Sequence, residues 1–415
     1  MTELLWVLIA VIVVALAFDV TNGMHDTANT VAPLVASRAV APQLAVVLVA
    51  IGVAIGAVTA GGAVAATIGS GILPPGSVTL ELVLAAISGA IVWNVGAWYL
   101  GVPCSSSLAL VGGLVGAGLA DALFGSGAIG AIGWSTVVDK VFVPSLLAPV
   151  VGGLIAAGIW VILVRLASRG TRRSAERSMR RTQIGAAMVQ SYAQGANDAQ
   201  KTMGVIALAL VAYSQAGAPP GAEKAEFVVP FWVVLACAAS IAFGTLAGGW
   251  RIVETMGKRL AKLDVAQSAA ATFAGGVVLL LSSRYGMPVS TTYASVGSIM
   301  GAAATRGRRR VRWNVAGDIL VAWAITAPCA ALAALLLSTL AAAAPLALAV
   351  GVLVLLGWML RKNQADGQAR VAEPRTYVPP SVVVARSPHE RSLLVQRSTP
   401  GLTGAAIRRS SAARP

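Results

Sequence analysis

The chain has 415 residues, 57% of them hydrophobic and 11% charged, with a formal net charge of +15. A soluble domain carries about 25% charged residues, so a soluble globular fold is excluded. The basic residues sit in short stretches between apolar segments and in the tail. No basic folded domain with interleaved aromatics is present, which argues against a nucleic-acid partner.

Apolar stretches run over 4–21, 43–68, 80–100, 103–120, 141–166, 183–212, 227–250, 265–283, 287–305, 314–339 and 341–360. A bilayer-crossing helix needs about 20 apolar residues, and several stretches reach that length. They predict an all-α polytopic membrane protein with about ten to twelve membrane segments. Glu3 precedes the first stretch, and neither a basic leader region nor an Ala-x-Ala site accompanies it. It reads as a first span rather than a cleaved signal peptide. Further along 4–36, Asp19, Asn22, His25, Asp26 and Asn29 interrupt the apolar run, and Gly23 offers backbone freedom for a break in the helix. The segments after Pro103 and Pro288 are short and Gly-rich, and are expected to be re-entrant half-helices. Cys104, Cys237 and Cys329 lie inside apolar segments without CxxC spacing, so neither a disulfide framework nor a zinc site is implied.

Lys and Arg crowd into 165–181, 251–262, 306–312 and the tail, whereas 69–79, 121–140 and 214–226 hold almost none. The first group reads as cytoplasmic and the second as external. Segments 4–36 and 183–212 then run in opposite directions, as do 141–166 and 314–339. This predicts two inverted-topology repeats, 1–167 and 183–340, joined by a basic cytoplasmic loop at 168–182. An extra span at 341–360 follows. The remainder, 361–415, is rich in Arg, Ser and Pro and reads as a basic disordered cytoplasmic tail that could rest on anionic membrane lipid.

Two polar motifs occur once in each half. Gly23-Met24-His25-Asp26-Thr27-Ala28-Asn29-Thr30 recurs as Gly195-Ala196-Asn197-Asp198-Ala199-Gln200-Lys201-Thr202. Pro103-Cys104-Ser105-Ser106-Ser107 recurs as Pro288-Val289-Ser290-Thr291-Thr292, and Gly112 and Gly116 keep the same offset to Gly297 and Gly301. Polar and ionisable groups are costly in a bilayer and mark an ion or substrate path. A carboxylate and an amide spaced i, i+3 share one helix face and offer hard oxygens to a small cation. Hydroxyls behind a proline cap a helix whose exposed N–H groups and positive dipole end suit an anion. Two such ends, with carboxylates nearby, would form one central site for an anion and its accompanying cation.

These residues resemble the signatures of the inorganic phosphate transporter (PiT) family: Gly23–Asn29, Gly195–Gly204 (GANDAQKTMG), Trp93–Ser107 (WNVGAWYLGVPCSSS) and Gly286–Thr292 (GMPVSTT). The resemblance covers about residues 4–340 and implies cation-coupled symport of inorganic phosphate. It implies cation binding by Asp26, Asn29, Asn197 and Asp198, and phosphate binding by Ser105, Ser106, Ser107, Ser290, Thr291 and Thr292, with Gln200 added by position. Leu108, Tyr293 and Gln194 stand where relatives often carry histidine, which thins any histidine relay. His25, at a position that is histidine in many bacterial members, is the remaining candidate proton relay.

The expectation is therefore a multi-pass protein of a bacterial plasma membrane that imports phosphate with a proton, favoured over sodium because His25 lies beside Asp26. Another tetrahedral oxyanion such as sulfate, or a metal–phosphate complex, is an alternative cargo. A homo-oligomer is allowed. No cofactor beyond the coupling cation is expected, and no metal ligand set is assigned. No Walker-type loop is present. An intramembrane serine hydrolase built on Ser105–Ser107 with His25 as base is a distant alternative that leaves the duplication without a role. An enzyme is not expected.

Overall fold

The computed structural model describes residues 2–74, 76, 78–125, 127–168, 171–217, 226–261 and 263–372. The first half runs α1 (Thr2–Ala36), α2 (Pro42–Thr59), α3 (Ala63–Ser70), α4 (Leu80–Leu100) and α5 (Ser106–Phe124). A short α6 (Trp134–Thr136) then passes through a π-helical turn, Val137–Phe142, into α7 (Val143–Ala167). The second half runs α8 (Arg172–Ala216), α9 (Phe231–Ala247), α10 (Trp250–Glu254), a π-helical turn at Thr255–Leu260, α11 (Val265–Arg284), α12 (Thr291–Ala304) and α13 (Trp313–Ala343). Helix α14 (Pro345–Ala372) follows.

Eight helices among the described residues are long and apolar enough to cross a membrane. The 45-residue α8 and the shorter apolar α9 lie beside them. Leu146, Val150 and Leu154 on α7, Leu332 and Leu336 on α13, and Val350 and Val354 on α14 project outward uncovered. Contiguous apolar surface of that kind suits lipid rather than water. This is a multi-pass helical membrane protein.

Local sequence sets the helix starts. Thr79 accepts a hydrogen bond from the Leu82 amide to cap α4, and Thr171 accepts one from Ser174 to cap α8. Asp264 and Gln267 form a reciprocal capping box at the start of α11. Helix α4 ends at Gly101, whose φ of 68° is left-handed and costs glycine little. The chain then turns through Pro103 into α5.

The expected break at Gly23 does not occur: α1 is continuous from Thr2 to Ala36. Gly23 serves contact instead. A Cβ there would overlap the Ile241 carbonyl oxygen of α9. Gly195 plays the same part on the unbroken α8, where a Cβ would overlap the Val53 carbonyl oxygen of α2. The hairpins repeat the exchange. Gly112 and Gly116 of α5 lie against Ala327 and Ala331 of α13, and Gly297 and Gly301 of α12 lie against Pro149 and Gly153 of α7. Each half thus packs its motif helix and its hairpin on elements of the other half.

Two expected boundaries shift. Residues 172–182, read as loop, are the first turns of α8. Arg, Ala, Glu and Met are good helix formers, and the Thr171 cap starts the helix early. The final span does not stop at residue 360, since α14 continues to Ala372, with Asn363 donating to the carbonyls of Ala247 and Gly248. The rest of the predicted tail, from 373 on, lies outside the described residues.

Candidate functional site at the junction of the halves

Helices α1 and α8 bring their polar motifs to the N-termini of α5 and α12. Ser105 and Ser290 are the caps of these two helices: their hydroxyl oxygens accept from the amides of Leu108, at 3.1 Å, and Tyr293, at 3.3 Å. A capping hydroxyl satisfies one of the free N–H groups at a helix start. Beyond the caps, Ser106 of one cluster and Thr292 of the other reach a carboxylate.

Asp26 is fully buried and surrounded by neutral donors. Its Oδ1 accepts from Asn29 Nδ2 at 2.8 Å and from Thr292 Oγ1 at 3.0 Å. Its Oδ2 accepts from Ser106 Oγ at 3.2 Å. One carboxylate of the first half therefore joins both hairpins. Asp198, equally buried, is a near neighbour of Asp26. Its Oδ1 is paired with the ammonium of Lys201, which also donates to Ser107 Oγ. Ser107 in turn donates to the Val289 carbonyl at 3.3 Å, in the turn that leads into α12.

The remaining expected residues divide. Thr291 is buried at the head of α12, but Thr292 rather than Thr291 reaches Asp26. Asn197 donates to Ser283 Oγ at 3.0 Å and to the Met287 carbonyl at 3.2 Å, tying α8 to the second hairpin. Gln200 lies elsewhere: its Oε1 accepts from the amides of Val64, at 2.9 Å, and Ala65, at 3.4 Å. Helix α3 has no side-chain cap of its own, and Gln200 supplies one. His25 Nε2 lies 2.8 Å from the Asn94 carbonyl, which makes that nitrogen the donor. Its Nδ1 lies 3.8 Å from Cys104 Sγ.

Sequence reasoning gave no role to two buried groups now seen at the centre. One is Lys201, detectable as the single cation within the apolar run 183–212. The other is Asp19, whose Oδ1 accepts from Thr202 Oγ1 at 2.5 Å across the α1–α8 contact. Several buried oxygens here have no protein donor, among them Asp19 Oδ2, Asn29 Oδ1, Asn197 Oδ1 and Asp198 Oδ2. Buried acceptors are normally satisfied, and such oxygens are the hard ligands that small cations prefer.

Comparison with known proteins bears on this geometry. The profile of the phosphate transporter family matches residues 22–334. The chain is 46% identical over 332 residues to a probable low-affinity inorganic phosphate transporter of Mycobacterium bovis, covering 79% of this chain and 76% of that one. It is 43% identical over 325 residues to a protein of the same description from Rhizobium meliloti, covering 78% and 93%. A third, from Bacillus subtilis, is 35% identical over 335 residues, covering 80% and 96%. Among solved structures, one titled "The sodium-dependent phosphate transporter" aligns with a TM-score of 0.69 at 23% identity. It covers 82% of this chain and 99% of its own, and at that identity it speaks for the fold alone.

Proposed function

The chain belongs to the phosphate transporter family, and from that premise we propose that it imports inorganic phosphate by symport with a cation, a proton in preference to sodium. The observation that carries the proposal is Asp26. A single buried carboxylate gathers Ser106 from one hairpin and Thr292 from the other. An anion seated between the α5 and α12 N-termini would meet the hydroxyls and free amides of both. It would sit close to Asp26, which demands a compensating positive charge in a low-dielectric setting. Coupling then has a physical origin: the anion is held well only when the carboxylate is protonated or paired with a cation.

Asp26 and Asn29 carry the coupling cation in this reading, with Asp198 and Asn197 completing the centre. Ser105, Ser106, Ser107, Ser290, Thr291 and Thr292 line the phosphate side. Gln200 acts through α3. The matched packing of the halves supports an inverted repeat, with the segments of 1–167 and 183–340 crossing in opposite senses. Phosphate is favoured over sulfate because its monohydrogen form can donate a hydrogen bond to a carboxylate, whereas sulfate cannot. The proton is favoured because His25, next to Asp26 in the chain, commits Nε2 to the Asn94 carbonyl, which leaves Nδ1, near Cys104 Sγ, as the basic nitrogen. The solved neighbour is titled as sodium-dependent, so sodium is the second cation to test.

Counterflow of labelled phosphate and labelled sulfate in proteoliposomes, with sodium and pH varied separately, tests this reading. Phosphate exchange and accumulation under an imposed pH gradient in sodium-free buffer are expected. Preferential sulfate exchange, or accumulation that follows only a sodium gradient, overturns the corresponding part.

A further inference from the structure

The two motif copies place Asn29 and Lys201 at the same register, each three residues after its aspartate. The structure gives them the same connections. Asn29 Nδ2 reaches Asp26 on its own helix and lies 3.5 Å from Thr292 Oγ1 of the opposite hairpin. Lys201 Nζ reaches Asp198 on its own helix and Ser107 Oγ of the opposite hairpin. Ser107 and Thr292 are themselves the third hydroxyls of the two clusters. Each half therefore has one nitrogen bridging a buried carboxylate to a hydroxyl of the other half. In the first half the nitrogen is a neutral amide. In the second it is an ammonium.

We propose that Lys201 is a tethered counterion that takes the place of a mobile coupling cation at Asp198, so that of the two motif aspartates only Asp26 loads and releases a cation. The inference rests on the symport reading above and narrows it. An ionised carboxylate without a partner is strongly disfavoured in a buried site, so each aspartate needs a compensating charge. Lys201 provides one permanently, and its side chain is fully buried against the equally buried Asp198. Asp26 takes its hydrogen bonds from the uncharged Asn29, Ser106 and Thr292, and its ionisable neighbours are Asp198 and His25, so no fixed ammonium is bonded to it and its compensation comes from a cation or a proton that can leave. The two motif aspartates with one resident ammonium require one mobile cation fewer than the same pair without it, whatever the state of the third buried carboxylate, Asp19. In this way residue 201 sets the number of cations moved per phosphate.

The test uses full-length protein in proteoliposomes and in detergent, with inorganic phosphate as ligand. Lys201→Ala strands the Asp198 charge, and phosphate affinity is expected to fall about a hundredfold, in line with the loss of one partner of a buried pair. Methylammonium should restore affinity in a saturable way, and a neutral amide of similar size should not. The double variant Asp198→Asn/Lys201→Met removes both charges together. It should regain at least about tenfold in phosphate affinity over Lys201→Met and unfold at a higher temperature than that single variant. The cation count per phosphate, read from the gradients at zero net flux, should be the same in the double variant as in the wild-type protein. Three outcomes overturn the proposal. If methylammonium fails and the double variant binds no better than the single, Lys201 grips phosphate itself. If the double variant loses one cation per phosphate, Asp198 carries a mobile cation. If the double variant fails to fold, the pair is needed for more than charge. Failure of the wild-type protein to move phosphate sinks the symport reading instead, and the stability comparison of single and double variants still decides the pairing.

Discussion

The two halves of this molecule agree in packing and differ in charge. Gly23 of α1 rests on α9 as Gly195 of α8 rests on α2, and the paired glycines of α5 and α12 seat on the other half's long helix in the same way. Yet Asp26 meets only neutral donors, while Asp198 is paired with Lys201. The contrast separates two kinds of constraint. Where backbones touch, both halves require the same small residue, because nothing larger fits. At the polar centre, complementary rather than identical chemistry is needed, and the copies have diverged.

The largest effects should come from breaking what the halves share. Gly23→Val and Gly195→Val each drive a side chain into a backbone carbonyl of the facing helix. Overpacking typically costs about 1–3 kcal/mol, and backbone cannot yield as a flexible side chain can, so about 3 kcal/mol or more is expected for each. The two variants should lose monodisperse protein to a similar degree on size-exclusion chromatography of detergent extracts. A well-folded Gly195→Val beside a collapsed Gly23→Val would show that the crossings are not equivalent.

Next come the changes that sharpen the difference. Asp26→Asn keeps the size and much of the hydrogen bonding of the side chain but removes its charge, so folding should survive. Gradient-driven accumulation should vanish while exchange of phosphate at equilibrium persists. Accumulation at the wild-type level would take Asp26 out of the coupling role. Smaller effects are expected from Ser106→Ala and Thr292→Val, each of which removes one donor from the same carboxylate. A hydrogen bond to a charged group is worth about 1.5–3 kcal/mol. Affinity for phosphate or its cation should therefore fall by roughly 10- to 150-fold in a binding titration. The corresponding change Ser107→Ala acts on Lys201 instead, and should leave the cation dependence of binding closer to that of the wild type.

Much of this arrangement was legible in the residues. Pro103 and Pro288 with their trailing hydroxyls marked two helix starts, and Ser105 and Ser290 cap them as such residues do. The duplicated aspartates were placed at one centre because buried carboxylates are too costly to be incidental. Gly23 was misread because glycine lowers helix propensity locally, while tertiary packing decides whether the helix continues. The contact it makes is with Ile241, far away in sequence and invisible to local reasoning. Gln200 was assigned to phosphate from its place in the motif. The free amides that claim it belong to α3, which approaches from residues 63–70. Helical residues after Thr171 were read as loop because hydropathy reports lipid exposure and says nothing about whether a polar segment is helical.

The smallest effect, and the one that bears most directly on the cation, is expected at His25. Its Nε2 donates to the Asn94 carbonyl at 2.8 Å, and that bond joins the polar face of α1 to α4. Its other nitrogen lies toward the Cys104 thiol, just before the capping Ser105. Asparagine at this position is too short to reach the same carbonyl and cannot take up a proton in the neutral range. Loss of one neutral hydrogen bond costs about 1 kcal/mol, so His25→Asn should fold and should bind phosphate within about fivefold of the wild-type protein. The pH profile is the sensitive readout. Proton symport speeds up as external pH falls, and histidine is the side chain whose ordinary pKa lies nearest physiological pH. With His25 present, sodium-free uptake should rise as external pH falls. With asparagine, that dependence on pH should change. Superimposable profiles would make His25 a strut between α1 and α4, and uptake that ignores pH but follows sodium would assign the Asp26 cation to sodium.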